Sequence, residues 1–235
     1  MKIQGPWLSG KLIKRYQRFL ADVILEDGTQ VTAHTPNTGS LRGCCTPGSK
    51  VWLRDTQNQS RKYPYSWELV EAMPGVWVGI NTGLSNHLVR EAIENGVIEP
   101  LQGYGQVSTE VRYGMEKSRI DLLLEEENRP PCYVEVKNVT LVEEKIALFP
   151  DAVTTRGAKH LRELMEVVRQ GGRGVLVFCV QRADAMEVRP ADAIDPEYGR
   201  TLRQALMAGV EAYAYQANPT PEEICLDRPL PVICP

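Results

Sequence analysis

Arg119-Ile120-Asp121-Leu122-Leu123-Leu124 and Cys132-Tyr133-Val134-Glu135-Val136-Lys137-Asn138-Val139 are the two runs on which the reading of this chain turns. Successive side chains of a β-strand point to opposite faces. Ile120, Leu122 and Leu124 therefore share one face of the first run, and Asp121 projects from the other. Val134 and Val136 share a face of the second run, which sets Glu135 and Lys137 side by side on the opposite one. The stretch between them, Glu125-Glu126-Glu127-Asn128-Arg129-Pro130-Pro131, is polar and ends in prolines. It predicts a turn, so the strands form an antiparallel pair with Asp121 beside Glu135.

An acid on one strand followed by Glu-x-Lys on the next is how one nuclease-type fold builds a magnesium and phosphate site. Magnesium takes oxygen ligands in a near-octahedral shell and needs only one or two protein carboxylates besides waters and substrate phosphate. Asp121 and Glu135 are the expected metal ligands, for Mg2+ or Mn2+. Such an ion would polarise the scissile phosphate and activate a bound water, with Lys137 orienting that water or offsetting transition-state charge. Glu-x-Lys on an exposed sheet face is also an ordinary surface pattern, and the preceding Asp is what lifts it above chance.

The 235 residues, 43% of them hydrophobic, suffice for one large or two small domains with a real core. The amino-terminal stretch lacks an apolar signal core, and the run Val175–Val180 is far too short to span a bilayer, so a cytoplasmic protein without a membrane partner is expected. The six cysteines form no Cys-x-x-Cys pair and lie at no zinc-finger spacing to histidine, which argues for reduced thiols. Net charge is −3, but residues 1–80 carry ten Lys and Arg against six Asp and Glu, and all four tryptophans. Basic residues interleaved with aromatics suit a nucleic-acid groove, and aromatics equally fill a small barrel.

From Leu8 to about Ile80, short apolar runs are split by turn residues, among them Asp27-Gly28, which reads as a small β-barrel. Beyond it the pattern predicts a helix over 84–96 with Ser85 or Asn86 as N-cap. Strands follow at 106–113, 119–124 and 133–141, then a helix over about 157–170. The strand 175–180, a helix opened by Asp195-Pro196, and a last strand over 210–216 complete the order. The chain divides into residues 1–80, a small barrel, and 81–235, a second domain of helices and strands. Gly103-Tyr104-Gly105 lacks the third glycine of a dinucleotide fingerprint, and no Walker loop is present.

Longer strings carry a resemblance: Arg15-Tyr16-x-Arg18-Phe19-Leu20-Ala21-Asp22-Val23, His34-x-Pro36-Asn37-Thr38-Gly39, Arg61-Lys62-Tyr63-Pro64, Ser118-Arg119-Ile120-Asp121, Cys132 to Lys137, and Phe149-Pro150-Asp151-Ala152-Val153-Thr154 running to Arg156-Gly157. Over essentially its whole length the chain resembles the bacterial sugar fermentation stimulation protein A (SfsA) family. The resemblance implies an α+β, two-domain architecture: an N-terminal OB-like β-barrel followed by a PD-(D/E)xK restriction-endonuclease-like α/β domain. It also implies DNA binding without sequence specificity and a regulatory role in maltose and related sugar metabolism. Asp121, Glu135 and Lys137 occupy the nuclease-motif positions, with Glu91 as the acid some such sites add from a helix. Thr155 stands where the family often has Glu, and Ala158 where it often has Gln.

The candidate DNA contacts are Arg15, Arg18, Arg42, Arg61 and Lys62, with His34 and Asn37 in a loop that would face the groove. Each of the three histidines, His34, His87 and His160, is expected to be structural or superficial rather than catalytic. Two functions follow: a DNA-binding protein that does not cut, or a magnesium-dependent nuclease acting through Asp121, Glu135 and Lys137. Oligomeric state is left open, a homodimer included.

Overall fold

Residues 7–79 form six strands: β1 (Trp7–Tyr16), β2 (Leu20–Leu25), β3 (Gln30–His34), β4 (Lys50–Asp55), β5 (Tyr65–Met73) and β6 (Val76–Gly79). The computed structural model describes residues 1–2, 5–58, 60–114 and 118–235; Ile3 and Gln4 of the amino-terminal stretch lie outside them. β1 is long enough to pair with β4 through its first half and with β2 through its second, with a register shift between Leu12 and Lys14. That shift bends the strand, as β-bulges do. β3 then returns to β5 in parallel through Ala33 and His34, which closes the barrel. Gly10 allows β1 its close approach to β2, since a Cβ there would stand 2.5 Å from the Ile24 carbonyl oxygen. Asp27-Gly28 makes the expected hairpin turn, with Gly28 at φ +86° and the Thr29 amide donating to Asp27 Oδ1 at 2.8 Å. Leu12, Val23, Leu53, Trp67 and Val78 fill the interior.

The second domain opens with α1 (Ser85–Glu94). The meander β7 (Gln106–Tyr113), β8 (Ser118–Glu125) and β9 (Cys132–Val139) follows, then a short hairpin, β10 (Leu141–Glu143) and β11 (Ile146–Phe149). Next come α2 (Thr155–Arg169), β12 (Arg173–Val180), β13 (Glu187–Pro190), α3 (Pro196–Met207), β14 (Glu211–Ala217) and β15 (Leu226–Leu230). The main sheet runs β15-β14-β12-β9-β8-β7, parallel from β9 through β12 to β14 and antiparallel at both edges. α1 packs on one face through Leu88, Val89 and Ile93. α2 and α3 cover the other through Leu161, Leu164, Tyr198 and Leu202. Buried on both faces, β12 reads as a continuous apolar run rather than an alternating one.

Two local expectations are corrected. α1 is not capped by Ser85 or Asn86: it continues from a one-turn 3-10 helix, Thr82–Leu84, whose cap is Asn81, accepting from the Gly83 amide. Ser85 and Asn86 are thereby free to bond inward, to Asn138 and Asp121. Ile120 does not share a core with Leu122 and Leu124. It packs under α2 and α3, because the β8–β9 ladder stops at Leu122 opposite Val134, where the Asp121 side chain takes the Val136 amide.

Asp195 accepts from the Tyr198 amide as the N-cap of α3, as expected, and its other oxygen accepts from the Thr154 amide at the start of α2. At the far end of the sheet, Arg173 forks onto Glu211 with Nε–Oε1 at 2.5 Å and a second contact at 2.7 Å. The Arg173 hydrogen bonds hold Glu211 below its ordinary value. A depressed carboxylate stabilises the fold above its unfolded pKa and loses that contribution as pH falls through the folded value. Denaturant midpoints of the wild type should therefore fall faster below about pH 4.5 than those of Glu211→Gln. Parallel acid curves for the two proteins would contradict this.

Candidate active site in the interdomain cleft

Asp121 sits where the sheet ladder is interrupted on both sides. On the β7 side the register passes from Thr109 opposite Leu122 to Val111 opposite Ile120, and Glu110, which would face Asp121, has φ +54°. On the β9 side Asp121 Oδ2 accepts from the Val136 amide at 2.7 Å, while Oδ1 accepts from Asn86 of α1 at 2.9 Å. The carboxylate is thus oriented by one backbone and one side-chain donor. Burial, then the neighbouring Glu135 carboxylate, push it up to about 6.

Glu135 is 2% exposed, on the face of β9 that meets α2. Its Oε1 accepts from Lys137 Nζ at 2.6 Å and touches His160 Nδ1, while Oε2 is buried with no hydrogen-bond partner among the described residues. Burial pushes Glu135 up, but Lys137 and His160 outweigh it and hold the group below its ordinary value. Arg156 Nε donates to His160 Nε2 at 3.2 Å. An arginine cannot accept, so Nε2 is unprotonated and Nδ1 carries the proton donated to Glu135. Thr154 caps this first turn of α2, accepting from the Gly157 amide, and so aims Arg156 and His160 one turn apart at β9.

His160 is the residue the sequence reading missed. It falls on the apolar stripe of α2, beside Leu161 and one turn before Leu164, where a polar side chain needs a buried partner; that position was the available signal. Glu163, also buried, has both carboxylate oxygens without a partner among the described residues, above Gly114. Tyr113 lies in the field of all three acids and is pushed up first by burial, then by Glu135, Glu163 and Asp121. Thr155 is exposed and Ala158 buried, and neither lines the cleft.

The trio opens into a cleft of about 870 Å3 between the two domains, walled on the barrel side by Arg15, Tyr16, Arg18 and residues 37–40. On the other side stand residues 148–154 and Arg156. Asp151 ties the walls together: it accepts from the Leu41 amide at 2.9 Å and from Ser40 Oγ at 3.1 Å.

Several expected contacts are placed differently. Glu91 is not a site acid; five residues beyond Asn86 on α1, it pairs with the Met1 amine at 2.7 Å. Arg15 is not available to phosphate, because its guanidinium donates to the carbonyls of Arg18, Asn37, Gly39 and Ser40. Asn37, 4% exposed, is taken up by the Ile80 carbonyl and the Gly39 amide. His34 lies on the β3–β5 seam and does not line the cleft. Arg42 pairs with Glu143 across the domains at 3.8 Å, and Arg61 and Lys62 are exposed on the β4–β5 loop away from the cleft wall. Arg18 alone of the seven lines the cleft as an exposed side chain that no other side chain among the described residues engages. Burial also pushes the Cys44 thiol up to about 12, against a nucleophilic role for that side chain.

A family profile described as "Sugar fermentation stimulation protein RE domain" matches residues 83–223, and one described as "SfsA N-terminal OB domain" matches residues 13–80. The chain belongs to the sugar fermentation stimulation protein family. Relatives within the family include the "Sugar fermentation stimulation protein homolog" of Geobacter metallireducens, 64% identical over 233 residues, which cover 99% of this chain and all of the relative. The Geobacter sulfurreducens protein of the same description is also 64% identical, over 99% of both chains. Among solved structures, "The structure of Pyrococcus Furiosus SfsA in complex with Ca2+" superposes with a TM-score of 0.88 and 28% identity, over 99% of this chain and 98% of that one. The family's architecture, an OB barrel followed by a restriction-endonuclease-like domain, is the architecture of this chain.

Proposed function

We propose that the chain binds DNA in the interdomain cleft and hydrolyses phosphodiester bonds there with magnesium or manganese. The observation that carries this reading is the buried carboxylate pair, with Glu135 Oε2 lacking a partner among the described residues and Asp121 pushed up to about 6. A buried polar atom without a hydrogen bond costs roughly 1–3 kcal/mol, and an absent ion is one of the few explanations for such an atom. Oxygen-only donors suit a hard dication, and the Pyrococcus relative's description names Ca2+, a cation of that kind. No group of three or more His, Cys, Asp or Glu side chains closes on one point among the described residues. Asp121 and Glu135 would therefore share the ion with water and substrate oxygens, as magnesium sites commonly do.

When bound, the metal would supply Lewis acidity and a water of lowered pKa. Lys137 Nζ, already at Glu135, offsets the charge that builds on the phosphate and orients the attacking water. His160 positions Glu135 through Nδ1, and Arg156 in turn holds the His160 tautomer. Arg18 and Arg156 neutralise flanking phosphates from opposite walls. Binding without cutting is the second reading, favoured by the 2.6 Å contact that engages Lys137 with Glu135. Under either reading the protein works in the cytoplasm, and the sugar-related effect carried in the relatives' name follows from its hold on DNA.

Incubation with end-labelled DNA in manganese or magnesium, against a chelator control, tests the proposal. Metal-dependent fragments are the expected result; binding with no cleavage in either metal would leave only the second reading standing.

A further inference from the structure

We propose, on the footing of that reading, that the cleft's substrate is an unpaired polynucleotide strand, its exposed bases stacking on Phe19 at one lip and packing against Val153 at the other. Few large apolar side chains of the described residues are exposed; one of them, Val153, lines this cleft, and another, Phe19, directly follows the cleft-lining Arg18. Phe19 is 44% exposed beside Arg18 at the β1–β2 hairpin tip, and Val153, 72% exposed, lines the opposite wall. The tip is built to present Arg18 and Phe19: Gln17 and Arg18 hold φ of +50° and +63°, uncommon for residues with a Cβ. Arg15 fixes this geometry by binding the Arg18 carbonyl, and the Phe19 carbonyl accepts from the Thr35 amide at 2.6 Å. The backbone is therefore locked while the Arg18 and Phe19 side chains stay in solvent.

Behind the tip, Tyr16 lines the cleft with its hydroxyl held by Asp22 at 3.1 Å, and Lys14 Nζ stands 5.3 Å from its ring centroid. This pair sets an aromatic face beside a cation, the combination that suits a base next to its phosphate. A duplex offers phosphates but keeps its base faces inside the stack. It is also stiff, whereas Glu135 is nearly sealed from solvent at the cleft floor. A flexible unpaired strand can both stack on the lips and be drawn down to that floor.

Fluorescence anisotropy in chelator, with labelled dT15, U15 and a 15-base-pair duplex at one salt concentration, tests this. Single strands should bind at least about tenfold tighter than the duplex. Phe19→Ala should cost the single strand about 5- to 150-fold, the range that loss of one stacked base gives, and the duplex little. Phe19→Tyr should restore affinity, which separates stacking from a disturbed fold, and an unchanged melting temperature should accompany both variants. Equal or tighter duplex binding, or equal losses on both forms, would overturn the inference. If metal-dependent cleavage of duplex persisted in that case, the proposed function would survive without it. Failure of every nucleic acid to bind or be cut would remove both.

Discussion

Lys137→Ala should lower metal-dependent cleavage by about 10^2–10^3-fold, the loss seen when one preorganised group facing transition-state charge is removed. The same substitution should leave a second trace that does not depend on turnover. Lys137 and Glu135 form a buried pair, with side chains 11% and 3% exposed. Removing one partner of such a pair leaves an uncompensated charge and costs about 3–5 kcal/mol, here toward the lower end because His160 still contacts Glu135. A divalent cation at Asp121 and Glu135 would replace the missing positive charge. Manganese should therefore raise the melting temperature of Lys137→Ala by more than it raises that of the wild type. Equal shifts, measured by circular dichroism, would place the cation elsewhere, and undiminished cleavage would remove Lys137 from the chemistry.

Arg15→Ala and Arg18→Ala should behave as opposites, although the residues lie three apart in one basic string. Arg15 clamps four carbonyls of the hairpin tip and the 37–40 loop. Those acceptors lose a charged donor, which is worth about 1.5–3 kcal/mol for such a bond. A fall of roughly 3–12 °C in melting temperature is expected for a chain of this size. Arg18→Ala should leave the melting temperature nearly unchanged and reduce the log–log salt slope of DNA binding by about one. Reversed results would mean that the clamp does not hold the loop and that Arg18 does not reach phosphate.

The sequence made the strand–turn–strand carrier of Asp121, Glu135 and Lys137 legible because apolar alternation is a local property of the chain. α2 and α3 were legible for the same reason, through helical spacing and the Asp195-Pro196 start. Three kinds of information were not local. Glu91 looked like a helix acid, yet which side of α1 meets β8 is settled by packing, and Asn86 holds that place. Arg15 and Asn37 looked like a groove surface, but their partners are backbone carbonyls that converge only when the barrel closes. His160 became part of the site because α2 crosses β9 at Glu135, a contact spanning 25 residues of sequence. The small strands β10, β11 and β13 were too short for periodicity to register.

Leu69 belongs to the barrel by its strand but is buried in the same cluster as Leu88 and Val89 of α1 and Leu122 of the large sheet, with Trp52 and Trp77 packed against it. The peptide that joins the domains is itself buried at Ile80 and Asn81, and the Gly79 amide donates to the Gln181 carbonyl. A protease therefore meets no slack linker between the halves. Neither half, expressed alone, would keep its surface covered, and calorimetry should register one cooperative transition for the pair. Domain truncation is thus a poor way to separate binding from cutting in this protein, and point substitutions along the cleft are the sounder instrument.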